Sequence, residues 1–288
     1  MTKVNAKGNS VQSIKAEGKK VAKDAAFNPV MERLTRLGYA VKGFLYMAIG
    51  IISIASALGK SNTPADQLGA IVEFSKLPYA GPILWIILLG LVSYSLWGVI
   101  RAVLDPFHKG TDTEGWLARG GYLVSAATYA SFVFPTYQLI VGARQGAGGN
   151  ATVKLVSQIM NMPMGRWLVA ALGVAAAAAG FYQMYMAIKM DFDKRFKTYA
   201  LTADQRRMAI QIGRFGTFAR GVVFAIVGFF ITLAAVQANP GHARGFDGAL
   251  DYLAKQPYGL WLLGFVSMGL IAFGMYSLMS AAWFRLKR

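Results

Sequence analysis

The sequence predicts an all-α polytopic membrane protein. It expects six transmembrane helices, built as three parallel two-helix repeats around a pseudo-threefold axis, with both termini in the cytoplasm. Three observations carry this expectation. Of 288 residues, 55% are hydrophobic and 15% charged, with a mean hydropathy of +0.42, whereas a soluble domain carries about 25% charged residues. The few charges leave long intervals without any. The chain also repeats its own pattern three times.

The intervals free of Lys, Arg, Asp and Glu are Gly43–Gly59, Leu77–Ile100, Gly120–Ala143, Trp167–Ile188, Gly221–Ala243 and Gln256–Phe284. A spanning helix needs about 20 mostly apolar residues. All but the first interval meet that length. The first reaches it if its helix starts near Leu37 and carries Lys42 inside it. Helices are therefore expected over 37–59, 78–104, 117–142, 164–189, 214–238 and 257–284. No signal peptide is expected, because the first apolar run begins past residue 40, behind a long basic segment.

Positively charged flanks stay on the cytoplasmic side. Of the 30 Lys and Arg residues, 21 flank one face: the N-terminal tail, the 102–116 loop, the 190–213 loop and the C-terminus. Seven flank the other, and Lys42 and Arg220 lie within helices. Both termini are thus expected in the cytoplasm, and the net charge of +17 reads as a topology signal rather than a nucleic-acid footprint. The implied location is a bacterial plasma membrane. The basic tail, residues 1–30, places Val11, Ile14, Val21 and Ala25 at helical spacing before Pro29. It suits either an amphipathic helix on anionic cytoplasmic lipid or a disordered, orienting tail.

The repeats follow the tail as units 31–104, 105–190 and 191–288. Their first helices open on Arg36-Leu-Gly-Tyr-Ala-Val-Lys-Gly, Arg119-Gly-Gly-Tyr-Leu-Val-Ser-Ala and Arg214-Phe-Gly-Thr-Phe-Ala-Arg-Gly. Pro78, Pro163 and Pro257 precede the second helices, and each is followed 19 residues later by Trp97, Tyr182 or Tyr276. Two helices per repeat return the chain to the same side, so the repeats run parallel. The threefold Arg-x-Gly-x-x-x-[Lys/Arg]-Gly unit resembles a bacterial membrane family known as domain of unknown function 1206, defined by three such helix pairs. The resemblance covers residues 31–284. The second repeat departs from it, with Ser125 in place of the basic residue and Ala126 in place of the glycine. The resemblance implies the architecture and carries no activity to transfer.

Small residues on one face of each first helix suggest a packing seam: Gly38, Gly43 and Gly50, then Gly121 and Ala126, then Gly216, Gly221 and Gly228. Small residues allow close backbone approach in lipid; an aromatic, ligand-lining groove is the alternative. Lys42 and Arg220 occupy equivalent positions six residues inside Arg36 and Arg214, or roughly 9 Å deeper at the helical rise. An intramembrane cation is costly and marks a functional candidate. Snorkelling to the headgroups, binding an anion or lipid headgroup, and pairing are the three readings. If the repeats close around an axis, Lys42, Ser125 and Arg220 form one ring. Short helices are expected outside the membrane over Asp66–Lys76, Ala151–Met160 and Phe246–Lys255. They lie either flat at the interface or in solvated loops.

The chain has no cysteine and two histidines, both in loops. That excludes a disulfide scaffold and argues against iron–sulfur and bis-histidine haem sites. No acid falls in a charge-free span, which counts against proton- or sodium-coupled transport. No catalytic residue, cofactor or metal site is expected, and no nucleic-acid partner. Membrane lipids are, with anionic lipids at the cytoplasmic face, and other membrane proteins are candidate partners. The leading expectation is a non-enzymatic scaffold, accessory subunit or lipid-binding partner. The alternative is a channel or carrier for an anion or small solute along the axis.

Overall fold

Pro29 opens the first membrane helix, where its missing N–H costs nothing. The computed structural model describes residues 29–60, 66–105, 112–143, 151–189 and 202–283; the tail helix expected before Pro29 falls outside them. In chain order the helices are α1 (Pro29–Ala57), α2 (Gln67–Ser75), α3 (Ala80–Leu104), α4 (Thr113–Ser131) and α5 (Val133–Ile140). They continue as α6 (Ala151–Met160), α7 (Gly165–Lys189), α8 (Ala203–Val236), α9 (Phe246–Ala254) and α10 (Gly259–Trp283). Every described element is helical. α1, α3, α7, α8 and α10 are long and apolar enough to cross a membrane. The first and fifth spans begin earlier than their apolar stretches, because Glu32 pairs with Arg36 one turn on and Thr202 closes a capping box with Gln205.

The third span corrects the sequence expectation. A single helix over 117–142 is replaced by α4 and α5, broken at Phe132. Pro135 offers no N–H to the Ser131 carbonyl, and its ring crowds the turn before it. Thr136 closes the new turn by donating its hydroxyl to the Phe132 carbonyl at 2.7 Å.

Packing follows the repeats. The first helix of each repeat docks on the second helix of another: α1 on α10, α8 on α7, and α4 on α3. Glycines set the approach. A Cβ on Gly43 would lie 2.8 Å from the Gly274 carbonyl oxygen, and one on Gly221 2.8 Å from that of Gly180. A Cβ on Gly228 would lie 2.2 Å from the Ala177 nitrogen, and one on Gly50 2.7 Å from the Ser267 carbonyl oxygen. Ala126 fills the same role on α4, with its methyl against Gly98. In lipid there is no hydrophobic drive to pair helices, so this close contact supplies the attraction.

Two of the three arginines that open the repeats, Arg214 and Arg119, lock these interfaces. Arg214 donates Nε to the Ala187 carbonyl at 2.7 Å and Nη2 to that of Ile188, capping α7. At the other end of the same antiparallel pair, Arg166 donates to the carbonyls of Ala235 and Val236, capping α8. Cations there satisfy orphan carbonyls and the negative helix end together. Arg119 instead pairs with Asp105, the residue that ends α3, at 3.4 Å.

Within a repeat the outcome differs. In the first, Gly38 lies against Tyr94 and Gly90 against Val41; in the third, Gly216 lies against Phe273 and Gly269 against Ala219. These are equivalent positions. In the middle repeat they are occupied by Gly121, Ala179, Ala175 and Val124, and α4 and α7 form no extensive contact. Gly121 has nothing within 4 Å of a built Cβ, which corrects its expected place in the packing seam. The reason lies at Ala175: Gly90 and Gly269 leave only 2.2 Å between a built Cβ and the facing side chain, a space that the methyl of Ala175 cannot enter.

The three segments between the paired helices are helical, as α2, α6 and α9. α2 and α9 do more than lie flat. Ile71 and Leu250 are fully buried in the central cluster with Tyr46, Leu263 and Leu270. Tyr79, Met164 and Tyr258, each following its repeat's proline, adopt the left-handed conformation with φ of 66°, 59° and 60°. The turn that leads into each second helix is thus the same in all three repeats.

Candidate functional site

The centre of the bundle gathers cations among aromatic rings. Lys42 on α1 is 6% exposed. Its Nζ donates to the Tyr94 hydroxyl at 2.9 Å and lies 4.9 Å from the Tyr94 ring centroid, 5.0 Å from that of Phe273 and 5.9 Å from that of Tyr129. Arg220 on α8 stacks over the same Phe273 at 4.9 Å, over Phe224 at 4.9 Å and over Tyr46 at 5.6 Å. The two cations therefore share one ring. Tyr46 meets Phe273 edge-on at 4.7 Å, and Tyr94 meets Tyr129 at 4.5 Å.

The third repeat-equivalent residue, Ser125, contributes no contact to this cluster. The expected ring of Lys42, Ser125 and Arg220 is corrected accordingly: Ser125 shares its face of α4 with Tyr129 one turn on, but its short, half-buried side chain makes no hydrogen bond there among the described residues, and Tyr129 supplies the contact from α4. A third cation comes from elsewhere. Arg101, near the end of α3, is 7% exposed. It donates to the Tyr39 hydroxyl at 3.4 Å and lies over Tyr122 at 4.4 Å and over Tyr94 and Trp97 at 5.8 Å. By sequence Arg101 is one of the 21 basic residues that flank the cytoplasmic face, with no other role expected. Its helical spacing from Tyr94 and Trp97, i+7 and i+4, was the signal that puts it on their face.

Among the described residues no carboxylate pairs with these charges. Arg36 pairs with Glu32, Lys76 with Glu73, Arg119 with Asp105, and Arg244 and Lys255 with Asp251, all away from the three cations. Cation–π contact returns about 2 kcal/mol when desolvated, against roughly 3 kcal/mol to place a Lys or Arg at mid-membrane on an insertion scale. Inward orientation and the Tyr94 hydrogen bond set aside simple snorkelling for Lys42. The Tyr129 hydroxyl is 4% exposed as a residue and buried without a hydrogen-bond partner, as is Nε of Arg220. The cluster is an electropositive, aromatic-walled site with unused donors, suited to an anion. No group of three His, Cys, Asp or Glu residues that could hold a metal occurs among the described residues.

A polar link runs outward from it. Gln67, at the start of α2, donates to the Tyr46 hydroxyl at 3.4 Å. Asp66 caps the same helix by accepting the Gly69 N–H at 2.7 Å. Burial raises the Asp66 carboxyl above its ordinary value of 3.8, Asp247 of α9 adds to the rise, and the Gly69 N–H opposes it.

The repeat signature, now placed on paired helices, matches the model of a described family, Domain of Unknown Function (DUF1206), over residues 37–105, 120–190 and 215–283. The chain belongs to the DUF1206 family. The three matched segments each hold one helix pair. A relative, the uncharacterised protein YxxB of Bacillus subtilis (strain 168), is 31% identical over 255 residues, covering 88% of this chain and 92% of its own. No solved structure matches the chain.

Proposed function

We propose that this DUF1206 protein is a non-catalytic, multi-pass protein of the bacterial plasma membrane that binds an anionic ligand at Lys42, Arg101 and Arg220. Of the roles expected for a scaffold, accessory subunit or lipid-binding partner, this favours the last. The observation that carries it is that, among the described residues, no carboxylate pairs with these three cations inside a membrane bundle. A purely structural cation in lipid is ordinarily paired. The distribution of Lys and Arg supports both termini in the cytoplasm, which sets the cluster in the cytoplasmic half.

Conduction along the axis has weaker support. Rings from α1, α3, α4 and α10 meet at the centre, with Tyr46 on Phe273 and Tyr94 on Tyr129. The test is thermal unfolding of the purified protein in detergent with phosphatidylglycerol or with phosphatidylcholine. Phosphatidylglycerol should raise the midpoint more, and Lys42→Gln/Arg220→Gln should remove the difference. A wild-type protein equally indifferent to both lipids overturns the reading.

A further inference from the structure

Among the described residues the ring of membrane helices has one opening, and it lies where the middle repeat makes no extensive contact of its own. α7, α8, α10, α1, α3 and α4 pack in sequence, each on the next, while α4 and α7 do not close on one another. α7 is the least buried span, with 17% of its most apolar stretch buried against 39–50% in the other four. In repeats one and three the inner gap between paired helices is filled by Tyr94 and Phe273, the rings beneath Lys42 and Arg220. The equivalent residue on α7 is Ala179, and it is exposed. Opposite it, by the same equivalence, Gly121 faces open space and Val124 is 68% exposed. One aromatic wall of the cation site is therefore missing, on the side that gives onto the bilayer.

We propose that this opening between α4 and α7 admits an anionic phospholipid sideways, placing its phosphate at Lys42 and Arg220 and an acyl chain along the gap. The inference rests on the lipid-binding reading above and adds the route by which the lipid reaches the cations. The argument is complementarity at both ends. The gap is lined by apolar and small residues at a depth where the surroundings are acyl chains, and it leads toward uncompensated positive charge. A lipid phosphate carries both properties, whereas a free anion would have to cross the apolar part unsolvated. Arg220 keeps partial exposure while Lys42 and Arg101 are buried, and its unused Nε, with the Tyr129 hydroxyl, offers hydrogen bonds that a phosphate accepts.

The experiment is native mass spectrometry of the full chain released from detergent. It is run after equilibration with phosphatidylglycerol, phosphatidylcholine or inorganic phosphate. Wild type should retain phosphatidylglycerol preferentially. Ala179→Phe, which restores the ring of the other repeats, should lower that retention about tenfold, or about 1.4 kcal/mol, with the cations untouched. Gly121→Leu fills the same opening from α4, where a side chain meets nothing, and should act alike if Ala179→Phe fails to fold. Lys42→Gln/Arg220→Gln should abolish the preference. Full retention in both gap-filling variants, with loss in the charge variant, overturns the lateral route and leaves the anion reading standing. Retention in all variants overturns the reading itself. Binding of inorganic phosphate that matches or displaces the lipid overturns the lipid as source, and a stable dimer insensitive to lipid assigns the opening to a second copy instead.

Discussion

Lys42 is the residue on which the proposed site turns, and replacing it separates a ligand group from a structural one. A cation kept for stability would be missed when replaced by an isostere; a cation kept for a ligand burdens the empty protein. Lys42→Met should therefore leave the unliganded protein as stable as wild type or more so, because a buried charge replaced by a well-packed apolar chain is often neutral or stabilising. Tyr94→Phe should do the opposite. It removes the acceptor of the Lys42 Nζ hydrogen bond and should cost about 1–3 kcal/mol, as a buried donor left unsatisfied does. Unfolding in detergent measures both, and a Lys42→Met variant several kcal/mol less stable would return Lys42 to a structural role. Lys42 and Arg220 were legible in the sequence because a charge inside an apolar span stands out. Arg101 was not, because it ends a span, where arginines are expected for topology alone. Only the fold shows its guanidinium turned inward onto Tyr122 and Tyr94.

At the scale of helices, identical residues behave differently by repeat. Gly228 and Gly121 are both glycines on the first helices of repeats. A Cβ on Gly228 meets backbone at 2.2 Å and one on Gly121 meets nothing. Gly228→Val should force α7 from α8 and destabilise by at least the 1–3 kcal/mol typical of overpacking. Gly121→Ala should be neutral or stabilising by up to about 1 kcal/mol, the helix-propensity gain. Equal effects of the two would contradict the open middle repeat. The short helix α2 makes a pH prediction. The folded state raises the Asp66 carboxyl through burial and Asp247, so it favours the protonated form. Whatever stability that form provides is lost as pH rises through the raised value. Asp66→Asn keeps an N-cap and removes the charge. It should be more stable than wild type near neutral pH, and the gap should close as pH falls toward the ordinary carboxylate value of 3.8. Urea titrations at several pH values check this, and a gap that widens on acidification would reverse the assignment.

At the scale of the molecule, the charge asymmetry predicts the topology, and the chain is convenient for testing it because it contains no cysteine. Single substitutions Lys76→Cys and Lys255→Cys, at the ends of α2 and α9, should react with a membrane-impermeant maleimide in intact cells. Arg207→Cys, at the start of α8, should react only after permeabilisation. The inverse pattern would place the cation cluster in the outer half of the membrane, away from the cytoplasmic leaflet.

Sequence by itself determined the helix content, the spans set by charge-free intervals, the threefold repeat and two of the three cations. These follow from one-dimensional features: the cost of charge in hydrocarbon, and residue identity recurring at fixed spacing. The sequence did not reveal that the third span breaks at Phe132, although Pro135 was there to be read, because a membrane helix tolerates proline where neighbouring groups satisfy the freed backbone. The tertiary structure alone decided that Ser125 stays out of the cluster, that Arg101 joins it, and that the middle pair stands open. Each of those outcomes depends on contact distances between helices far apart in the chain. There a single methyl at Ala175, or a missing ring at Ala179, separates a closed seam from an opening.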